Sequence, residues 1–321
     1  MNREALLGEI RETLSNAGFY VSELCSVRPI GFDLIARRDN SLLIIKVLTN
    51  IDSISENVAK ELRTLSSLLS GCPILIGEKT GKKILENDVV YDRFGVKAIT
   101  IETLKNHLLE GIPLEIYAAP GGFYVNLDHE KLVKLRKQHD YSLGSFARSI
   151  KVSRRTVQMY EEGMNTTAEV ALRIEKALGD NVTVPIDILK YRPYESREFK
   201  IRSHAETPSF RDFQREIFSI LENVGYKVIP MERCPFEAVS KDKKKILLTC
   251  VDRYDKKLMK KAQVVGSISK ITEKQAVLIT DKNVNKTNIR GTPLIVKKEL
   301  KKLRGPEEIL ELIIERLYSK E

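Results

Sequence analysis

The first and last thirds of the chain carry the same succession of patterns, and this internal repeat restricts the fold of the 321 residues more than any other feature. The early copy contains the runs GFYV at 18–21, GFDLIA at 31–36 and SLLIIKV at 41–47. The late copy contains GYKV at 225–228, PFEAVS at 235–240 and KILLTCV at 245–251. Two domains of one fold are therefore expected at the two ends of the chain.

Each copy opens with a helical pattern and continues with short apolar strands. The helical positions are Leu6, Leu7, Ile10 and Leu14 in the first copy and Phe213, Ile217, Ile220 and Leu221 in the second. Nearly all-apolar strands separated by helices indicate a sheet that is covered on both faces. The sequence therefore predicts two α/β domains, at residues 1–111 and 208–321.

The segment between the repeats has a different character. Residues 112–128 hold β-prone runs on both sides of Pro120-Gly121-Gly122, which predicts a β-hairpin connector. Residues 185–207 are polar, with Pro185 and Pro193, and are typical of an extended linker. Residues 129–184 between them have a helical pattern, so the predicted fold class is α/β plus all-α.

This helical segment divides into short helices with recognisable ends. A first helix carries Leu132 and Leu135, and Ser142 is expected to cap a second helix that buries Phe146, Ala147 and Ile150. Lys151-Val152 forms a turn, and Ser153 is expected to cap a third helix with Val157 and Tyr160 facing inward. Gly163 is a natural left-handed stop for that helix.

The stretch 142–161 resembles the lambda-repressor-like (Cro-type) helix-turn-helix family, and the whole chain resembles an archaeal group of helix-turn-helix transcriptional regulators. The resemblance implies that the third helix enters the major groove of DNA and that its early exposed residues contact bases. Two positions depart from the family: Leu143 stands where Gln is usual, and Met159 has no directional donor. The DNA-binding residues implied in this way are Ser142, Ser153, Arg154, Arg155, Thr156, Gln158 and Met159.

The order of helices and strands in both repeats is similar to the PD-(D/E)xK restriction-endonuclease-like fold. That chemistry needs two carboxylates that hold a divalent metal and a nearby Lys. The first repeat has Asp33 and Lys46, but Ile44 takes the second carboxylate position, although Glu9 or Glu12 could supply another carboxylate. The second repeat has Glu237, with Leu248 and Cys250 at the other two positions. We therefore expect both nuclease-like domains to be degenerate, with no catalytic residue and no metal.

Positive charge is concentrated in the last third. Residues 208–321 hold 25 Lys and Arg against 16 Asp and Glu, whereas residues 1–111 hold 14 against 15. Excess positive charge suits a polyanionic partner, which favours a surface that contacts the nucleic-acid backbone. The candidate lysines are Lys243, Lys244, Lys245, Lys256, Lys257, Lys260 and Lys261.

Several other classes of protein do not fit the composition. The four cysteines, Cys25, Cys72, Cys234 and Cys250, form no CxxC pair, so a zinc site is not expected. The sequence has no run of 18 apolar residues, which argues against a membrane span, and scattered thiols suit the cytoplasm. No phosphate-binding glycine loop is present, and no cofactor is expected.

Together these patterns predict a non-enzymatic, sequence-specific DNA-binding transcriptional regulator that acts as a homodimer. The first alternative is a factor that binds structured RNA or the ribosome through the same helix-turn-helix and basic surfaces. The second alternative is a metal-dependent nuclease.

Overall fold

The computed structural model describes residues 3–25, 30–190, 210–243 and 245–318. The chain divides into two compact units, the first made of residues 1–13, 48–53 and 75–188 and the second of residues 14–47, 54–74 and 189–321. The segments of the N-terminal repeat therefore alternate between the two units. Most of the predicted linker 185–207 lies outside the described residues.

The N-terminal repeat follows the predicted order of helices and strands. Helix α2 begins at Glu56 because the Ser55 hydroxyl accepts the N–H of Val58 at 3.4 Å. The described elements are α1 (Arg3–Asn16), β1 (Tyr20–Val21), β2 (Leu34–Arg38), β3 (Ser41–Val47), a 3-10 turn (Ile51–Ser53), α2 (Glu56–Leu69), β4 (Cys72–Ile76), β5 (Lys79–Thr80), β6 (Lys83–Ile84), β7 (Val89–Arg93), β8 (Val96–Ile99) and α3 (Ile101–Leu109).

The central segment forms short helices with the predicted caps. The hydroxyl oxygens of Ser142 and Ser153 accept the N–H groups of Ser145 at 3.1 Å and Thr156 at 3.0 Å, which confirms both caps. The described elements are β9 (Ile116–Ala119), β10 (Gly122–Leu127), α4 (His129–Gln138), α5 (Leu143–Ser149), α6 (Arg154–Glu161), β11 (Thr166–Thr167), α7 (Ala168–Leu178) and β12 (Thr183–Val184).

A hydrophobic core joins the helices of this segment to β10. It includes Val125, Leu132, Phe146, Val157, Tyr160 and Ile174, all nearly or fully buried. Leu172 on α7 points away from this core and is 67% exposed. Helices α5 and α6 are therefore held by their apolar faces, as the sequence pattern predicts.

The hairpin β9–β10 is bound along both of its edges. Its turn needs Gly121 and Gly122, whose φ angles are 98° and 140°, in the region that favours glycine. Strand β9 pairs in parallel with β7 through Val89 and Ile116. Strand β10 pairs with both β11 and β12. A continuous set of strands therefore connects β7 to the helix-turn-helix within the first unit.

Helices α4 and α6 are joined by a largely buried ion pair. The Arg136 guanidinium donates to both carboxylate oxygens of Glu161, at 2.5 and 3.1 Å, and to the carbonyl of Tyr141 at 2.8 Å. The two side chains are only 10% and 14% exposed. This bidentate contact fixes the end of α6 relative to α4.

The C-terminal repeat is a six-stranded sheet with strand order β13-β14-β15-β16-β18-β17. Strands β15, β16 and β18 are parallel neighbours, and their apolar side chains pack against helices. The elements are α8 (Asp212–Val224), β13 (Lys227–Pro230), β14 (Ala238–Asp242), β15 (Lys245–Val251), α9 (Lys256–Thr272), β16 (Gln275–Thr280), β17 (Asn288–Ile289), β18 (Thr292–Val296), α10 (Lys297–Leu300) and α11 (Pro306–Tyr318). The predicted fold class, α/β plus an all-α helix-turn-helix, is confirmed.

Within the second unit, parts of the two repeats contact each other directly. The Gly31 N–H donates to the Arg233 carbonyl at 2.5 Å, and a Cβ atom at Gly31 would lie 2.8 Å from that oxygen. The Arg233 N–H in turn donates to Glu61 at 2.6 Å. The absence of a side chain at Gly31 is therefore what permits this close approach of two backbones.

We predict that Arg136→Met or Glu161→Gln destabilises the helix-turn-helix by about 3–5 kcal/mol, because each change leaves a buried group without its charged partner. Urea unfolding followed by circular dichroism would measure the loss.

Lys131→Met is the matched control. Lys131 pairs with Asp180 at 3.2 Å, but both side chains are well exposed, at 39% and 50%. Such a surface pair contributes about 0–1 kcal/mol. A loss in Arg136→Met that is no larger than the loss in Lys131→Met would contradict the structural role of the Arg136–Glu161 pair.

Candidate nucleic-acid interface

Helix α6 presents two arginines at its N-terminal end. Val157 and Tyr160 face the core, whereas Arg154 and Arg155, in the first turn of the helix, are exposed. Within the described part of the chain, neither guanidinium has a hydrogen-bond or ion-pair partner. Both groups are therefore available to a partner molecule, and guanidinium matches the O6 and N7 acceptors of guanine.

The other implied contact residues of α6 differ in availability. The Gln158 amide donates to the Glu162 carboxylate at 2.8 Å, so it must leave that contact before it can reach a base. Met159 is 40% exposed and offers only apolar contact. Thr156 is half-buried, and its hydroxyl lies 2.8 Å from that of Ser153, at the cap.

The start of α5 is different from the family pattern in a way that the structure explains. Leu143, at the position where Gln is usual, is half-buried and packs against the core of the helix-turn-helix. Ser142 is exposed, and its hydroxyl lies 3.0 Å from that of Ser145. The side chain at 143 therefore contributes packing, and Ser142 remains a surface hydroxyl beside the helix.

Most of the candidate backbone-binding lysines lie on the surface of the C-terminal repeat. Lys243 and Lys245 flank the turn between β14 and β15, and Lys256, Lys257 and Lys260 lie on the first turns of α9. All five are exposed. Lys244 lies outside the described residues.

Lys261 is a clear exception, and its assignment to a backbone-binding surface is wrong. Its side chain is 4% exposed, and its ammonium group pairs with Glu237 and with Asp252, the latter at 2.8 Å. A lysine that is buried and bound to two carboxylates cannot reach a phosphate on a partner molecule.

The first repeat places Asp33 and Lys46 side by side in its interior. The Lys46 ammonium lies 3.6 Å from the Asp33 carboxylate and donates to the Ile30 carbonyl at 3.1 Å. The Asp33 carboxylate also accepts the N–H of Val47 at 2.7 Å. Ile44, at the second carboxylate position, is fully buried among apolar residues. The carboxylate of Glu9 is bound by Lys105 at 2.5 Å, and Glu12 is exposed.

The second repeat buries two carboxylates around one ammonium group. Burial lowers the pKa of Lys261, but the acidic groups that surround it outweigh burial, and the pKa lies above its ordinary value. Burial raises the pKa of Glu237, whereas the hydrogen bond from Lys261 holds the pKa of Asp252 below its usual range against the opposing effect of burial. Arg211 and Lys257 approach Asp252 from outside, at 3.6 and 3.9 Å.

Sequence reasoning missed Asp252 and misplaced Lys261, although one signal was present. Lys261 lies on the buried stripe of α9, between Leu258 and Val265 at helical spacing. A lysine on an apolar stripe needs a buried acidic partner. Lys261 also belongs to the basic run from Lys256 to Lys261. A run of charge by itself does not distinguish the exposed face of a helix from its buried face.

Among the described residues, no group of three or more His, Cys, Asp or Glu side chains is arranged to hold a metal ion. No helix in the same residues has the length and apolar character needed to cross a membrane.

Two family models match separate parts of the chain. Residues 3–114 match a PD-(D/E)XK superfamily domain, and residues 132–179 match a helix-turn-helix model. The predicted nuclease-like fold of the N-terminal repeat and the predicted helix-turn-helix are therefore both confirmed. No solved structure matches the chain.

The chain also has full-length relatives among archaea. A protein of Methanosarcina acetivorans is 38% identical over 98% of both chains, and one of Methanosarcina barkeri is 38% identical over 98% of both. A protein of Natronomonas pharaonis is 36% identical over 98% of this chain and 99% of its own. All three carry the name "Putative HTH-type transcriptional regulatory protein". The chain, which combines a helix-turn-helix with a PD-(D/E)XK-like domain, belongs to this archaeal family.

Proposed function

We propose that the protein is a sequence-specific DNA-binding transcriptional regulator. The observation that supports this most strongly is the pair of exposed, unengaged arginines at the capped N-terminal end of α6. The helix itself is held by the burial of Val157 and Tyr160 in the core and by the Arg136–Glu161 pair. A rigid helix that presents guanidinium groups matches the requirements for contact with base edges in the major groove. The names of the full-length relatives support the same function.

We further propose a division of the chain into the segments 1–111, 112–128, 129–184, 185–207 and 208–321, of which 129–184 carries the sequence-reading residues. A single helix-turn-helix contacts only one half-site, so we propose a homodimer on a two-fold site. We place this activity in the cytoplasm, where archaeal DNA resides.

The C-terminal repeat supports a second contribution to binding. Lys243, Lys245, Lys256, Lys257 and Lys260 are exposed on a domain with a large excess of basic residues. Cations on a folded surface attract any phosphate backbone and release its counterions. We propose that these lysines add affinity without adding sequence preference.

We also propose that neither nuclease-like repeat cleaves nucleic acid. In the first repeat, one carboxylate is paired with Lys46, and Ile44 supplies no oxygen. In the second, Lys261 pairs with both carboxylates. Mg²⁺ requires several oxygen ligands in near-octahedral geometry, which these surroundings do not offer.

Replacing Arg154 or Arg155 by Ala should cost about 1–3 kcal/mol on the specific site and relax the base preference there. The target would be identified by crosslinking and immunoprecipitation with sequencing of both DNA and RNA, and affinity would be measured by fluorescence anisotropy. Arg11→Ala, which removes an exposed arginine from α1, is the matched control.

Equal footprints and affinities for Arg154→Ala, Arg155→Ala and Arg11→Ala would contradict the role of α6. Recovery of ribosomal RNA in place of discrete palindromic promoter sites would favour the alternative of a factor that binds RNA or the ribosome.

Changing Lys243, Lys245, Lys256 and Lys260 together to Gln should weaken binding to specific and random DNA by the same factor. Each lost phosphate contact should also flatten the slope of log affinity against log salt by about 0.9. Affinity measured over a salt series would test both effects, with circular dichroism as the control for folding. An unchanged slope in a folded variant would show that these lysines serve only solubility.

Incubation with DNA or RNA and Mg²⁺ or Mn²⁺ should give no cleavage above background, because the carboxylates at the nuclease-like positions of both repeats are paired with lysine. Gel electrophoresis of labelled substrates would detect any product. Cleavage that disappears in Asp33→Ala would show that the first repeat is an active nuclease.

A further inference from the structure

The second repeat contains a small buried charge cluster that binding to DNA does not use. We define the Lys261 cluster as Glu237, Asp252 and Lys261. All three residues are less than one-tenth exposed. The cluster lies where β14 begins and β15 ends, with Lys261 reaching in from α9.

The position of Glu237 corresponds to that of Asp33 in the first repeat. The N–H of Asp33 donates to the carbonyl of Ile45 at 2.7 Å, and the N–H of Glu237 donates to the carbonyl of Thr249 at 3.0 Å. The carboxylates also accept equivalent backbone bonds, from Val47 at 2.7 Å and from Val251 at 2.8 Å. The two repeats therefore hold an acidic side chain at the same place in the same fold.

The two repeats neutralise this acidic side chain from different elements. In the first, the cation is Lys46, which belongs to strand β3. In the second, Cys250 stands at the matching position of β15, and the cation comes from helix α9 as Lys261. A second carboxylate, Asp252, has been added beside it. The cluster therefore has two acids and one central cation, where the first repeat has one of each.

The four carboxylate oxygens of the cluster are all occupied. One oxygen of Glu237 and one of Asp252 contact the Lys261 ammonium. The remaining oxygen of Glu237 accepts the N–H of Val251, and that of Asp252 accepts the N–H of Arg253 at 3.0 Å. The ammonium thus lies between the two carboxylates, at the place where a bound cation would contact both.

We propose that the Lys261 ammonium is a built-in replacement for a divalent cation, and that the pair Glu237 and Asp252 becomes a divalent-cation site when this ammonium is removed. Two converging carboxylates are the hard oxygen ligands that such ions bind. The native repeat needs no metal, because the positive charge between the two carboxylates is the ammonium group of Lys261, which is part of the chain itself.

Mn²⁺ should restore the stability that the protein loses when Lys261 is removed. Lys261→Ala removes the cation between two buried carboxylates, although Asp252 keeps Arg211 at 3.6 Å and Lys257 at 3.9 Å as neighbours. The variant should therefore unfold at a lower temperature than the wild type in EDTA. Millimolar Mn²⁺ should then raise its unfolding temperature by several degrees, because binding to the folded state stabilises it. Titration calorimetry should show one Mn²⁺ ion per chain in Lys261→Ala and no binding at this site in the wild type.

Two further variants separate the cluster from general effects of charge. Lys260→Ala removes a neighbouring but exposed lysine, and its unfolding temperature should not respond to Mn²⁺. The double variant Glu237→Gln with Lys261→Ala lacks one ligand, and it should lose the response to Mn²⁺.

If Lys261→Ala does not fold in EDTA, its refolding in Mn²⁺ becomes the measurement, and recovery of the native circular dichroism spectrum supports the proposal. Failure to refold in Mn²⁺, a folded variant that ignores Mn²⁺, or equal Mn²⁺ binding by the wild type would each overturn it. None of these results depends on whether the protein binds DNA.

Discussion

The pairing of β9 with β7 determines how the helix-turn-helix is held in the first unit. Two residues of each strand, Val89 with Ile116 and Val90 with Tyr117, form this parallel contact. Strand β10 then carries β11 and β12, which bracket helix α7. Backbone pairing restricts bending between these elements, so α6 is presented by a sheet and not by a loose tether. A helix ordered in advance loses less conformational entropy when it binds a partner.

The two repeats illustrate how one fold tolerates a buried acid in two ways. An isolated carboxylate in a protein interior is costly unless it is hydrogen-bonded and paired. In both repeats a backbone N–H and a lysine satisfy that requirement, but the lysine comes from a strand in one and from a helix in the other. The same fold can thus be retained while the lysine that pairs with the buried acid moves from a strand to a helix.

The sequence predicts the ends and buried faces of helices more reliably than it predicts contacts between residues that are distant in the chain. Capping by Ser142 and Ser153 and burial of Phe146 and Val157 follow from local spacing, and the structure agrees. The role of Lys261 depends on two acids that are 24 and 9 residues away. No local pattern contains that information. The lysines from 256 to 261 are therefore all predicted to be exposed, although Lys261 is buried. The contact of Gly31 with Arg233 is likewise invisible before the chain is folded.

The distribution of charge along α6 favours one orientation on a polyanion. Arg154 and Arg155 lie at the N-terminal end, where the helix dipole also places partial positive charge. Glu161 and Glu162 lie at the other end, and of these only Glu161 is neutralised by an arginine, Arg136. Exposed Glu162 would be repelled by phosphate, and it also holds the amide of Gln158. In the function proposed above, this charge distribution favours an approach to DNA with the N-terminal end of α6 first, where Arg154 and Arg155 are the proposed base contacts.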